Sequence, residues 1–180
     1  EKAKGKVGKT TSVVDIKIKV ANSNITKLAK PLEISLPYDK NVQAQDKLTV
    51  FYLKDNGQTE IMGGVYNATD KTVKFLTNHL SKYYVQENHK TFNDLKDCAW
   101  AKDVVEAMAG KGLIAGRSEK TFAPNENINR AEFAALVTRM LKVTSQGNII
   151  NEFQDVSKNQ WYKDSVYLAV ENGLMNGKGA

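Results

Sequence analysis

The chain has 180 residues, 41% of them hydrophobic and 26% charged, with a net charge of +6. That composition fits one large or two small globular domains and excludes a disordered polyelectrolyte. Cys98 is the single cysteine, which excludes an internal disulfide framework, and no run approaches the ~18–20 apolar residues of a membrane span.

The charge is uneven. Residues 1–90 carry the whole excess as 15 lysines and no arginine against nine acids, whereas residues 91–180 balance at 11 and 11. Spaced lysines without arginine clusters or interleaved aromatics are a poor nucleic-acid footprint. They read as a solvated β surface, where edge lysines discourage aggregation, with weak attraction to an acidic polymer as the functional alternative.

Residues 1–12, rich in Lys and Gly at their start, read as a flexible arm, and both ends of the sequence read as cut edges of a longer chain. From residue 13 to 90 the pattern is β. Val14, Ile16, Ile18 and Val20 alternate with polar residues, as in a half-buried strand. Leu32, Ile34 and Leu36 alternate again up to Pro37, and Leu48–Leu53 is a β-rich run. Asp55-Asn56-Gly57 predicts a type I′ hairpin turn, because Asn-Gly accepts positive φ angles. A return strand follows within Glu60–Tyr66, then a turn at Asn67–Asp70 and strands over Thr72–Thr77 and Lys82–Glu87. Short strands with turns between them predict an antiparallel β-sandwich-like module.

Near Glu87–Thr91 strand alternation gives way to helical spacing. Trp100, Val104 and Met108 fall at i, i+4 and i+8, which predicts an amphipathic helix ending near Gly110–Gly112. A polar loop spans Gly116–Asn127. Asn129-Arg130-Ala131-Glu132 then reads as a helix start, with Asn129 as cap and Glu132 reaching back as in a capping box. Phe133, Leu136, Val137, Met140 and Leu141 form the stripe of this second helix.

After a linker at 144–151 the pattern starts again. Phe92-Asn93-Asp94-Leu95 is matched by Phe153-Gln154-Asp155-Val156, 61 residues on. At the same offset Trp100 matches Trp161, Asp103 matches Asp164, Gly112-Leu113 matches Gly173-Leu174 and Gly116 matches Gly177. A period of this size marks one supersecondary unit used more than once, and such arrays make binding surfaces more often than catalytic centres. The second copy, 152–180, reaches Ala180 without counterparts of Phe122-x-Pro124 or Arg130-Ala131-Glu132.

Enzyme signatures are missing from the sequence: no Gly-x-Ser-x-Gly elbow, P-loop or dinucleotide fingerprint. His79 and His89 stand without cysteines or an acid cluster, so neither a metal site nor a cofactor is expected. His79 reads as a strand end packed near Tyr83. Asn24-Ile25-Thr26 and Asn67-Ala68-Thr69 fit the glycosylation triplet, a match that arises readily by chance in a chain rich in Asn and Thr.

Residues 91–143 resemble the S-layer homology (SLH) domain. The likeness is carried by Phe92-x-Asp94, Trp100-Ala101, Gly112-Leu113-Ile114-x-Gly116, Phe122-x-Pro124 and Asn129-Arg130-Ala131-Glu132-Phe133, where the family usually has Thr at the position of Asn129. Over roughly residues 31–88, and carried by 73–83, there is a weaker likeness to modules that precede SLH domains in Gram-positive surface proteins. The resemblance implies an α+β multi-domain chain: a β-sandwich-like module at 13–90, then α-helical, helix-loop-helix SLH repeats at 91–143 and, truncated, at 152–180. It also implies a non-enzymatic, exported protein held non-covalently on the cell wall by an acidic, often pyruvylated, secondary cell-wall polysaccharide. Two other functions stand beside it: a structural S-layer assembly or self-association module, and an accessory part of a surface glycoside hydrolase.

Each candidate site residue has a structural reading next to its binding reading. Arg130 could grip a ketal carboxylate with two parallel hydrogen bonds at a helix N-terminus, or pair with Glu132 or Asp94. Trp100 and Trp161 could stack on a sugar face, or pack into the core at the start of their stripes. Gly116 and Gly177 permit a left-handed turn or a close approach, and their loops, with Arg117 and Lys178, could present amides and charge to a sugar. Glu132 and Asn129 read as a structural cap. No nucleic acid, no membrane span and, through exposed repeat faces, a second copy complete the expected partner set.

Overall fold

The computed structural model describes residues 12–25, 27–38, 42–147 and 153–177. Lys178, Thr26 of the first glycosylation triplet, residues 1–11 of the expected arm and residues 148–151 of the linker lie outside the described residues. The chain divides into two compact units, Glu1–Phe122 and Ala123–Ala180.

The first unit is built on nine strands among its described residues: β1 (Val13–Asp15), β2 (Ile18–Val20), β3 (Ser23–Ile25), β4 (Lys27–Pro37), β5 (Leu48–Leu53), β6 (Thr59–Gly63), β7 (Val65–Asn67), β8 (Thr72–His79) and β9 (Lys82–Glu87). They form an antiparallel four-stranded sheet β1-β9-β5-β6, a three-stranded sheet β4-β8-β7 and a separate hairpin β2-β3. Leu48, Val50, Met62, Tyr83 and Val85 from the first sheet meet Leu36, Val73 and Phe75 from the second, so the core lies between the two, as in a sandwich. Pro37, which cannot donate to a ladder, ends the edge strand β4.

Two turns show how sequence chemistry sets this path. In the β5–β6 loop only Gly57 takes a positive φ, and Lys54 N–H donates to Gln58 O while Lys54 O accepts from Gly57 N–H. The expected type I′ turn needs two positive φ angles; the chain instead makes a three-residue loop with a left-handed glycine. Between β6 and β7, Gly63 and Gly64 both have positive φ (75° and 129°), and a Cβ on Gly64 would lie 2.8 Å from Val73 Cγ1. This glycine pair carries the chain from one sheet to the other.

The expected single strand over residues 14–20 is two short strands on different partners, β1 on β9 and β2 on β3. Val14, Ile18 and Val20 are exposed, and only Ile16 packs on the core. Alternation gives a strand's two faces but not whether either face meets a second sheet.

A 3-10 turn, Lys96–Cys98, leads into α1 (Ala99–Gly110), which belongs to the same unit. Asn88 Nδ2 donates to Gly110 O at 2.6 Å, and Lys111 Nζ donates to Leu48 O (2.8 Å) and Gly64 O (2.7 Å). The helix stripe is rotated from the expected one. Trp100 (88% exposed) and Val104 face outward, whereas Glu106, Ala107 and Ala109 are buried. Glu106 is 2% exposed and fully engaged: one oxygen accepts Phe92 N–H (3.2 Å) and the other Lys102 Nζ (2.9 Å). Burial is the largest influence on this carboxyl and opposes its charge, but the Lys102 and Phe92 hydrogen bonds prevail and hold it below the ordinary carboxylate range. Its stabilising contribution is therefore present above that range and lost as pH falls through the depressed folded value. Glu106→Ala should cost roughly 2 kcal/mol at neutral pH and less in acid, where only the orphaned Phe92 amide and the lost packing remain; urea melts of both proteins at the two pH values check this.

The second unit holds α2 (Arg130–Leu141) and α3 (Lys163–Glu171), packed on one another. The expectation of α-helical, helix-loop-helix repeats is overturned. Among the described residues strand outweighs helix, the helices are three and short, and residues 111–129 between α1 and α2 are irregular. Gly112, Gly116 and Pro124 interrupt any helical run there, so the apolar residues of that stretch pack from a loop. The β-module part of the expectation fits the structure.

Candidate functional site

The repeat has a local physical basis. α1 and α3 end in the same Schellman motif. Gly112 (φ 71°) N–H donates to Ala109 O and Leu113 N–H to Met108 O; Gly173 (φ 68°) N–H donates to Val170 O and Leu174 N–H to Ala169 O. The left-handed positions are thus Gly112 and Gly173. Gly116 and Gly177 serve close approach instead: a Cβ would lie 2.6 Å from Phe92 Cε1 and 2.8 Å from Phe153 Cε1, respectively.

The buried glutamate has a counterpart at the same offset. Tyr167 OH accepts Phe153 N–H at 3.1 Å, as Glu106 accepts Phe92 N–H, and Lys163 Nζ lies 5.7 Å from the Tyr167 ring centroid where Lys102 pairs with Glu106. An ion pair in one copy becomes a cation–π contact in the other while the amide keeps its acceptor. Sequence reasoning missed both residues. The signal was the shared Lys spacing ahead of two unlike acceptors.

Asn129 and Glu132 form a reciprocal capping box: Glu132 N–H donates to Asn129 Oδ1 and Asn129 N–H to Glu132 Oε2, both at 2.9 Å. Arg130 is the first residue of α2 and is exposed. Its Nη2 donates to Asn176 O at 2.5 Å, and among the described residues it makes no ion pair. Arg130 lines a cavity of about 380 Å³ in the second unit together with Asp155, Tyr162, Asn176 and Gly177. The wall behind them is apolar: Phe153, Val156, Val166, Val170 and Met175.

Of the candidate residues, the structure brings Arg130 and Gly177 together on this cavity. Trp161 (62% exposed) sits beside it, its ring edge-on to Tyr162 at 5.5 Å. Trp100 and Gly116 belong to the first unit. Neither tryptophan is buried, so core packing does not account for either. His79 closes β8 and stacks on Tyr83 at 5.9 Å. Among the described residues no cluster of three or more His, Cys, Asp or Glu could hold a metal, and no helix is long and apolar enough to cross a membrane.

The chain thus joins a β-module to a repeated helix-and-loop unit, with an arginine-rimmed cavity at the start of α2. The S-layer homology domain model matches residues 91–134 and 152–180. Over those two segments the chain carries S-layer homology domain sequence.

Similar proteins include an amylopullulanase from Thermoanaerobacterium thermosulfurigenes, 36% identical over 169 residues (94% of this chain, 9% of that protein). A cellulosome-anchoring protein from Acetivibrio thermocellus is 38% identical over 96 residues (52% and 21%), and a surface-layer 125 kDa protein from Lysinibacillus sphaericus 34% over 85 (47% and 7%). The chain thus spans a small fraction of each relative's length. No solved structure matches it. S-layer homology domains are cell-wall anchoring modules, which sets this chain at the cell surface or wall.

Proposed function

We propose that the chain anchors an exported protein on a Gram-positive wall by reversible binding of an acidic, pyruvylated secondary cell-wall polysaccharide. The observation that carries this reading is Arg130: an exposed guanidinium without an ion pair among the described residues, at the positive end of α2, on the rim of a cavity. A planar guanidinium matches a carboxylate with two parallel hydrogen bonds, and the first-turn amides add donors aimed the same way. Asp155 on the same cavity would repel a carboxylate, so the ketal is assigned to the Arg130 end. Trp161 offers a sugar-stacking face beside it, and the loop at Gly177 further amides. Trp100 and Gly116 are the corresponding candidates in the first copy, and Lys178 would add charge.

The test is binding of the chain to native polysaccharide and to the same polymer stripped of its ketal. Clear preference for the native polymer is expected, and equal binding to both would remove the carboxylate role.

A second reading, self-association or S-layer assembly, is favoured by the exposed apolar residues Trp100 and Val104 on α1 and Phe133, Met140 and Leu141 on α2. Light scattering should then show mass rising with concentration; a monomer throughout counts against it. A third, an accessory non-catalytic part of a glycoside hydrolase, is supported by the amylopullulanase likeness over nearly the whole chain, β-module included.

A further inference from the structure

A cavity of about 640 Å³ lies in the β-module. It forms where β1, β3, β4 and β5 meet the β8–β9 turn: Ile16 N–H donates to Ser81 O at 2.9 Å, and Lys27, the first residue of β4, pairs with His79, the last of β8. Tyr52 and His79 line it with half-buried rings 4.6 Å apart, and Tyr83 braces both, at 6.0 and 5.9 Å. Two ion pairs line it as well, Asp15–Lys17 (2.7 Å) and Asp55–Lys82 (2.9 Å). The hydrogen bonds around His79 assign its tautomer. Tyr83 OH donates its single proton to His79 O (2.6 Å), so its oxygen accepts from His79 Nδ1–H (3.0 Å). Burial lowers the His79 pKa, with Glu60 opposing, so the ring is neutral at pH 7. Its Nε2 is then an acceptor, and among the described residues that acceptor has no hydrogen-bond partner.

We propose that this cavity binds a neutral oligosaccharide: one sugar ring packs on Tyr52, and its hydroxyls bridge the Asp55–Lys82 pair and donate to His79 Nε2. A hydroxyl donates and accepts at once, so it satisfies a carboxylate and an ammonium together without parting them. A braced aromatic ring beside such groups gives the apolar face of the sugar a surface to cover. An anion fits worse. Asp15 and Asp55 repel it, and two of the three lining ammoniums, Lys17 and Lys82, are already neutralised by those carboxylates. A wholly apolar ligand fits worse still, because it would take the charged groups of both pairs out of water with nothing in return. The site belongs to the first unit and its ligand carries no charge, so the proposal does not rest on the acidic-polymer reading of Arg130.

The test titrates the full chain with maltoheptaose, cellohexaose and xylohexaose, following backbone amide and histidine ring NMR shifts. At least one of the three should bind saturably below about 10 mM. It should shift Tyr52, His79, Ser81 and Lys82, move the His79 ring signal at Nε2, and leave α2 and α3 unchanged. Tyr52→Ala should weaken that binding at least about tenfold. Tyr52 also packs on the core, so Asp55→Ala gives an independent reading. Asp55 is exposed and its surface pair with Lys82 adds little to folding, so this variant should lose about three- to tenfold in affinity with its melting temperature nearly unchanged. No saturable response to any of the three sugars, shifts confined to other residues, or full binding by both variants overturns the proposal. So does native wall polysaccharide shifting Tyr52 and His79 while the neutral sugars leave them still. The acidic polymer and Arg130 take no part in the neutral-sugar titration, so this proposal and the anchoring reading fail separately.

Discussion

Replacing Lys111 by methionine is expected to destabilise the first unit by about 2–4 kcal/mol, more than the loss of one neutral hydrogen bond would cost. The residue follows α1, and its ammonium is turned into the β-module, where it donates to the carbonyls of Leu48 and Gly64. Gly64 is one of the two glycines that carry the chain between sheets, so one side chain ties the end of α1 to the sheet crossover. Methionine keeps the apolar stem and the volume but removes both charge-assisted bonds. The urea midpoint should fall with the slope unchanged, because the surface exposed on unfolding stays the same. Burial lowers the Lys111 pKa, with Asp46 opposing. Between that depressed value and the ordinary ~10.5 the unfolded chain holds more protons than the folded one, so the lysine's contribution to stability rises with pH in this window. Lys111→Met should lose that rise, which melts across the alkaline range measure.

Arg130→Ala is expected to weaken binding of native, pyruvylated polysaccharide by roughly 10–100-fold, the worth of a two-bond charge-assisted contact. The fold should be little affected: Arg130 is exposed, its side-chain hydrogen bond among the described residues goes to the exposed loop residue Asn176, and the cap belongs to Asn129 and Glu132. Circular dichroism melts separate the two effects. Arg130→Lys should recover only part of the affinity, since an ammonium keeps the charge but not the planar fork. Full recovery by lysine would reduce the role to a point charge.

Much of the β-module was legible because its strongest signals are local. β5 and β9 fall on the residues where β-branched and aromatic runs stop at turn residues, and β8 extends the expected strand only to His79. What failed was anything set by a partner element. Val14, Ile18 and Val20 alternate as a buried face would, yet among the described residues they are exposed. Trp100 and Val104 are correctly spaced for a helix stripe, but α1 buries the adjoining face with Glu106. A glutamate is invisible to a hydrophobic pattern, and its burial is tolerable because Lys102 and the Phe92 amide meet both oxygens. The helix-loop-helix expectation failed for a related reason: the apolar residues of 111–129 carry the same weight in a composition as helical ones, while the glycines and proline between them set a loop.

The repeat was legible at once, but its meaning at each position was not. Gly116 and Gly177 agree in sequence, and the structure gives the cause, a phenylalanine ring packed over each backbone. Asp94 and Asp155 agree too, yet one holds Phe122 and the other faces a cavity.

Amide shift mapping of the whole chain during titration with the pyruvylated wall polysaccharide tests the anchoring account most directly. Saturable shifts are predicted at Arg130, Ala131, Asn176 and Gly177, with the Trp161 indole moving in step and β4, β5 and β8 unperturbed. Shifts confined to the β-module, with Arg130 and its neighbours silent, would contradict it.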